Sequence, residues 1–88
     1  MATVFIPSLL RKFTGGTDQV SVLGRNVGEL VNNLEKQFPG FRNQVLDSGD
    51  LKTSLAVSID GEIGTLGLLD EVKETSEVHF LPALGGGA

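Results

Sequence analysis

Val27, Leu30, Val31, Leu34 and Phe38 fall at i, i+3, i+4, i+7 and i+11, one apolar stripe along a single helix. Asn26 precedes the stripe and Glu29 follows three residues on, a capping-box-like start that also suits the helix dipole. Pro39-Gly40 stops it. A lone amphipathic helix cannot bury its stripe against a second one, so it must lie on a sheet. The rest of the chain has to supply that sheet.

The strands are legible in outline. Thr3 to Ile6 reads as a first strand ended by Pro7, and its nearly continuous apolar run predicts a central position covered on both faces. Ser8 to Gly16 reads as a turn region whose Leu9, Leu10 and Phe13 fold back over the core edge. Val20 and Val22 alternate with Gln19 and Ser21 in a half-buried second strand, making a hairpin with a long connection. After the helix, Phe41 to Thr53 has no regular pattern and predicts a surface crossing with a turn at Asp47-Ser48-Gly49-Asp50. Leu55, Val57 and Ile59 then alternate in a third long strand that ends at the tight-turn pair Asp60-Gly61, with Ile63 opening a short partner strand. Gly64 to Glu77 reads as loop, plugged locally by Leu66, Leu68, Leu69 and Val72. Val78 to Leu81 is the last strand, closed by Pro82. The order predicts one α+β domain over residues 1–82, a mixed sheet of four to five strands crossed by one main helix.

Composition removes most function classes. With no Cys, Trp or Tyr and one His in 88 residues, the chain lacks thiolate sites and nearly all of the usual catalytic side chains. A net charge of −4, with seven Lys and Arg residues in no block or stripe, argues against nucleic acid and favours basic partners. No apolar run approaches the ~20 residues of a transmembrane helix, and the N-terminus has no signal-peptide pattern, so the expected location is cytoplasmic, off the membrane. Asp47 with Asp50, and Asp60 with Glu62, lack the spacing of a calcium loop and read as turn residues, so no metal site is expected. Gly15-Gly16-Thr17 lacks the Lys of a phosphate loop. His79 reads as an exposed or edge residue whose neighbours Val78 and Phe80 point inward, and Glu71, Lys73, Glu74 and Glu77 as a solvated face.

What remains is the end of the chain, Ala83-Leu84-Gly85-Gly86-Gly87-Ala88. Three consecutive glycines after an apolar strand cannot serve a core, and without Cβ atoms they fit a narrow cleft. Six residues beyond Pro82 span up to roughly 20 Å when extended. Residues 83–88 thus read as a Gly-rich tail built to enter a partner's active site.

The element order, the Gly-rich end, and the Phe80-Leu81-Pro82-Ala83 approach to it resemble the ubiquitin-like β-grasp sulfur carriers of the ThiS/MoaD family across almost the whole chain. Ile6-Pro7-Ser8-Leu9-Leu10-Arg11 and Thr14-Gly15-Gly16 are most similar to the subgroup that serves the thiocarboxylate route to cysteine. The resemblance implies a carrier rather than an enzyme. An activating enzyme of the ubiquitin-activating (E1-like) kind would use ATP and Mg²⁺ to adenylate the terminal glycine, which is then converted to a thiocarboxylate; the carrier itself would bind no cofactor. It places that chemistry on Gly87, with Leu84, Gly85 and Gly86 as the threading tail. It also implies a partner-binding sheet face near the tail, here Phe5, Pro7, His79, Leu81, Pro82 and parts of the third long strand. The implied acceptor is a PLP-dependent cysteine synthase using O-phosphoserine. Alternatives are the large subunit of molybdopterin synthase, thiamine or thio-metabolite synthesis, transfer-RNA thiolation, or protein modification through isopeptide bonds. The chain departs from the family pattern at Ala88, which implies either a peptidase that trims it to end at Gly87 or Ala88 itself as the working end.

Overall fold

The structure, a computed structural model, describes residues 1–82. The expected tail, residues 83–88 with Leu84 to Ala88, lies outside the described residues. Strand β1 (Ala2–Phe5) leads through a 3-10 turn at Ser8–Phe13 into β2 (Gln19–Val22) and then helix α1 (Val27–Gln37). A short helix α2 (Phe41–Val45) and the small hairpin β3 (Leu46–Asp47) and β4 (Asp50–Leu51) follow. The chain closes with β5 (Leu55–Ile59), β6 (Glu62–Ile63), a second 3-10 turn at Gly67–Leu69, and β7 (Glu77–Pro82).

The main sheet has the order β2-β1-β7-β5-β6, mixed as expected: β1 and β7 run parallel and the other neighbours antiparallel. The last strand is therefore the middle one. β1 sits one place off centre and is covered on one face only: Val4 is fully buried, whereas Phe5 lies on the other face, partly exposed. An apolar run alone could not distinguish a doubly covered strand from one whose second face awaits a partner.

The helix stripe is confirmed. Val27, Leu30, Val31 and Leu34 have no exposure, and Phe38 packs partly buried at the end of α1. They join Val4, Ile6, Val20, Val22, Val57, Val78 and Phe80 in one core, each large apolar side chain contributing about 1.5–3 kcal/mol by leaving water. The cap forms as the sequence predicts. The Glu29 N–H donates to Asn26 Oδ1 at 2.8 Å, and the Glu29 carboxylate accepts in return from the Arg25 N–H at 2.9 Å. Replacing Asn26 by Ala is expected to cost about 1 kcal/mol, lowering the melting temperature by ~4–8 °C in a domain of this size. Thermal unfolding of Asn26→Ala beside Asn26→Asp checks this; equal midpoints for Ala and wild type would contradict it.

Three local expectations are corrected. The segment from Phe41 to Thr53 is not an irregular crossing, because α2 buries Phe41 and Val45 completely. Gly40, with φ of 100°, makes the left-handed step between the helices, and the Glu35 carboxylate accepts the freed N–H groups of Gly40 and Arg42 at 3.0 and 2.9 Å. Second, Leu9 is 81% exposed and does not fold over the core edge. A 3-10 turn has about three residues per turn, so Leu10 and Phe13 share its inner side while Leu9 faces away. Third, Leu66 and Leu69 are exposed, and only Leu68 and Val72 act as plugs.

Asp60, expected as a plain turn residue, also clamps the start of β7. Its carboxylate accepts from the Ser76 hydroxyl at 2.8 Å and from the Glu77 N–H at 2.9 Å, while its own backbone takes a positive φ of 52°. Those bonds hold the Asp60 pKa below the usual range, first through the Glu77 N–H and then through the Ser76 hydroxyl. The Gly40 and Arg42 N–H groups lower that of Glu35 in the same way. Each carboxylate is more acidic folded than unfolded, so its contribution is present above the unfolded pKa and lost as pH falls through the folded one. The melting temperature is expected to fall on acidification below about pH 4.5, and less so in Asp60→Asn with Glu35→Gln. A double variant with the acid sensitivity of wild type would refute this.

Candidate functional site

One face of the sheet is packed by α1 and the other is open. Alternation along β7 sends Val78 and Phe80 into the core and leaves His79 and Leu81 on the open face. Register carries that face across the sheet: His79 pairs with Phe5 on β1 and with Ser58 on β5, and Leu81 pairs with Ala56. The Phe5 and His79 rings stack at 4.1 Å between centroids, with planes 2° apart. His79 therefore belongs to the middle strand rather than to an edge, and its ring covers an aromatic neighbour. Ile63 on β6, 58% exposed and paired with Ser58, extends the apolar face further from the tail.

All five residues expected on the partner-binding face lie together near the end of β7. Phe5, Pro7, His79, Leu81 and Pro82 line one cleft of about 290 Å³, open to solvent. Arg11 joins them, although in the sequence it has a place only in the Ile6–Arg11 stretch of the family resemblance and no role on the face. Its Nε–H donates to the Ile6 carbonyl at 3.1 Å, tethering the guanidinium at the mouth of the cleft. An arginine five residues after a strand end, inside a Pro-led turn, was the available signal.

A second cleft of about 590 Å³ lies on the other side of Pro7, Leu81 and Pro82, which line both. Leu9, Leu10, Phe13 and Leu55 make it mostly apolar, and Lys12 and Lys52 stand among them. Lys12 Nζ sits 5.2 Å from the Phe13 ring centroid. The chain thus leaves the described structure from its middle strand, between two apolar clefts.

Among the described residues no group of three or more His, Cys, Asp or Glu is placed to hold a metal ion. Asp47 and Asp50 flank the β3–β4 turn. No helix among the described residues is long and apolar enough to cross a membrane.

A five-stranded mixed sheet wrapped on one main helix, with the C-terminal strand in its centre and leading into a Gly-rich end, is the ubiquitin-like β-grasp fold. Within that class residues 4–87 match the ThiS family, and the chain belongs to it. It is 31% identical over 90 residues to the protein named sulfur carrier protein CysO from Mycobacterium tuberculosis, covering 97% of each chain. Two solved structures share the fold closely. A chain of the Amycolatopsis orientalis BexX/CysO complex superimposes with a TM-score of 0.90 at 31% identity, over 99% of this chain and 100% of that one. The crystal structure of Mycobacterium tuberculosis CysO gives 0.88 at 29% identity, over 96% and 100% respectively.

Proposed function

We propose that this protein is a sulfur carrier that supplies sulfur for cysteine biosynthesis, acting as a protein co-substrate rather than a catalyst. The observation that carries the reading is the similarity, at 31% identity over 97% of each chain, to a sulfur carrier protein, in a chain whose end keeps consecutive glycines. In this reading Ala88 is removed by a peptidase and Gly87 then carries the reactive carboxylate. A carboxylate is a poor electrophile until one oxygen becomes a leaving group. One Gly87 oxygen attacks the α-phosphorus of ATP at an E1-like enzyme and expels pyrophosphate. Sulfide, HS⁻, then attacks the acyl carbon and displaces AMP, and loss of its proton leaves C(=O)–S⁻, a soft nucleophile able to form a bond to an electrophilic carbon.

The carrier's own part is geometric. Gly85, Gly86 and Gly87 present no side chains to a narrow cleft, and the residues around Pro82 form the surface against which the activating enzyme rests. ATP, Mg²⁺ and the PLP of a cysteine synthase belong to the partners. Molybdopterin synthesis is the alternative destination of the same thiocarboxylate, and tight copurification with a large catalytic subunit would favour it. Intact mass of the protein isolated from its own cells tests the proposal. The expected species ends at Gly87 and is heavier than the free acid by the difference between sulfur and oxygen. A chain found only as the unmodified form ending at Ala88, under sulfur demand and with the activating enzyme present, would overturn it.

A further inference from the structure

We infer that Asp60-Gly61 is a latent self-modification site, an aspartyl-glycyl bond that isomerises to the β-linked form unless hydrogen bonds from residues 76 and 77 hold the Asp60 carboxylate in place. The inference is independent of the carrier reading. Asp60-Gly61 is the only Asp-Gly or Asn-Gly pair in the chain, and the pairing of Ile59 with Glu62 makes it the whole loop of the β5–β6 hairpin. Both residues have positive φ, 52° and 87°, as a two-residue hairpin turn requires. Glycine adopts that conformation without cost, whereas Asp60 keeps it because its surroundings hold it there.

In the reaction the Gly61 nitrogen attacks Asp60 Cγ and loses its proton, and a protonated carboxyl oxygen leaves as water. The five-membered imide then takes water back at either carbonyl. Addition at Cγ restores the original chain, while addition at the Asp60 main-chain carbonyl leaves the backbone running through Cβ and Cγ, with no net change in mass. The nucleophile is open: glycine has no Cβ to shield its nitrogen, and a Cβ built at Gly61 would meet nothing within 4 Å. Water has access as well, because Asp60 lines a cleft of about 450 Å³ that is open to solvent.

The electrophile is held. Asp60 Oδ1 accepts from the Glu77 N–H at 2.9 Å and Oδ2 from the Ser76 hydroxyl at 2.8 Å. The Ser76 hydroxyl oxygen itself accepts from the Lys73 N–H at 2.9 Å, and the Asp60 N–H donates to the Glu77 carbonyl at 2.9 Å. Ser76 is only 2% exposed, so the latch is anchored below the surface. Turning Cγ onto the Gly61 nitrogen requires both oxygens to give up their donors. Those donors also favour the anion and lower the Asp60 pKa, and an unprotonated oxygen does not leave as water. Lys73 acts in the same sense, while Glu62, Asp70 and Glu71 in the same cleft oppose it. The rate in the folded protein therefore follows the fraction of molecules whose latch is open. Isomerisation lengthens the main chain by one methylene and moves the free carboxylate onto Cα, so the latch at the start of β7 does not re-form.

The test follows the tryptic peptide 53–73 while the full chain is incubated at neutral pH and physiological temperature. The normal and β-linked peptides have equal mass, separate by chromatography, and differ in that an aspartyl endoprotease cuts only the normal form before residue 60. The folded wild-type chain is expected to convert at least about tenfold more slowly than the same chain in guanidinium chloride, since a closed latch confines reaction to the open fraction. Ser76→Ala, confirmed as folded by its melting curve, is expected to convert about tenfold faster than folded wild type, because it lacks one charge-assisted hydrogen bond. Equal rates for folded and denatured wild type would overturn the latch, and that comparison needs no variant. A folded Ser76→Ala chain that converts at the wild-type rate would overturn the part given to residue 76. Absence of the β-linked peptide from the denatured chain would overturn the site itself.

Discussion

Deleting residues 83–88 is expected to abolish sulfur transfer while moving the melting temperature by no more than about 2 °C. The two halves of that expectation have separate physical grounds. Every described core residue lies between Ala2 and Phe80, so the deletion takes none of those side chains away. A shift of 2 °C corresponds to well under 1 kcal/mol in a domain of this size, where ~1 kcal/mol moves the midpoint by about 4–8 °C. In the proposed function, in contrast, the chemistry resides wholly in the removed segment. A subtler variant makes the same point: Gly86→Val keeps the terminal carboxylate but adds a branched side chain one residue before it. Misplacing a reacting group by ~1 Å is enough to cost on the order of 100-fold, and a loss of at least that size is expected in thiocarboxylate formation measured by intact mass. Undiminished sulfur transfer by the chain lacking 83–88 would mean that the tail is not where the sulfur is carried.

The second large effect is expected at Phe41. Its ring has no exposure and meets Phe80 edge-on, 6.0 Å between centroids at 72°. Truncating such a side chain removes transfer energy and leaves a cavity, together about 3–5 kcal/mol. Domains of this kind are stable by only ~5–15 kcal/mol, so Phe41→Ala is expected to lower the melting temperature by roughly 15–30 °C. Urea unfolding gives the free energy directly. Combining Phe41→Ala with Phe80→Ala adds a check, since an edge-on aromatic pair contributes ~0.5–1.5 kcal/mol beyond its buried area. Fully additive losses, or a Phe41→Ala midpoint near wild type, would mean that α2 is not packed against the central strand as described.

Phe41 also shows where reading the sequence fails. In α1, five apolar residues repeat the helical period over more than three turns, and Asn26 with Glu29 marks the start, so periodicity and capping agree. α2 has five residues, Phe41–Val45, hardly more than one turn, and two apolar positions define no period. It forms because Gly40 takes a left-handed step and Glu35 caps the freed N–H groups. The Glu35 contact is long-range in kind although only five to seven residues apart, because it exists once the chain has turned. Leu66 and Leu69 fail for the opposite reason: they look like core residues by type, but the second 3-10 turn points Leu68 inward and leaves them in water.

The candidate site divides along the same line. Phe5, Pro7, His79, Leu81 and Pro82 were grouped by the family resemblance, which implies a partner-binding face beside the tail, and the structure lines one cleft with all five. Arg11, Lys12 and Lys52 were not, because their convergence on Pro82 depends on a 3-10 turn and on the connection into β5, which no local pattern encodes. The sequence by itself determined the elements that repeat: the helix stripe and its cap, the alternation of β2, β5 and β7, and a glycine end able to enter a cleft. Those follow from backbone geometry acting over a few neighbouring residues. Only the tertiary structure decided that β7 lies at the centre and that Phe5 and His79 stack on the open face. One main helix can cover one face of a five-stranded sheet, and which face it takes is settled by the packing of the whole core, not by any single strand.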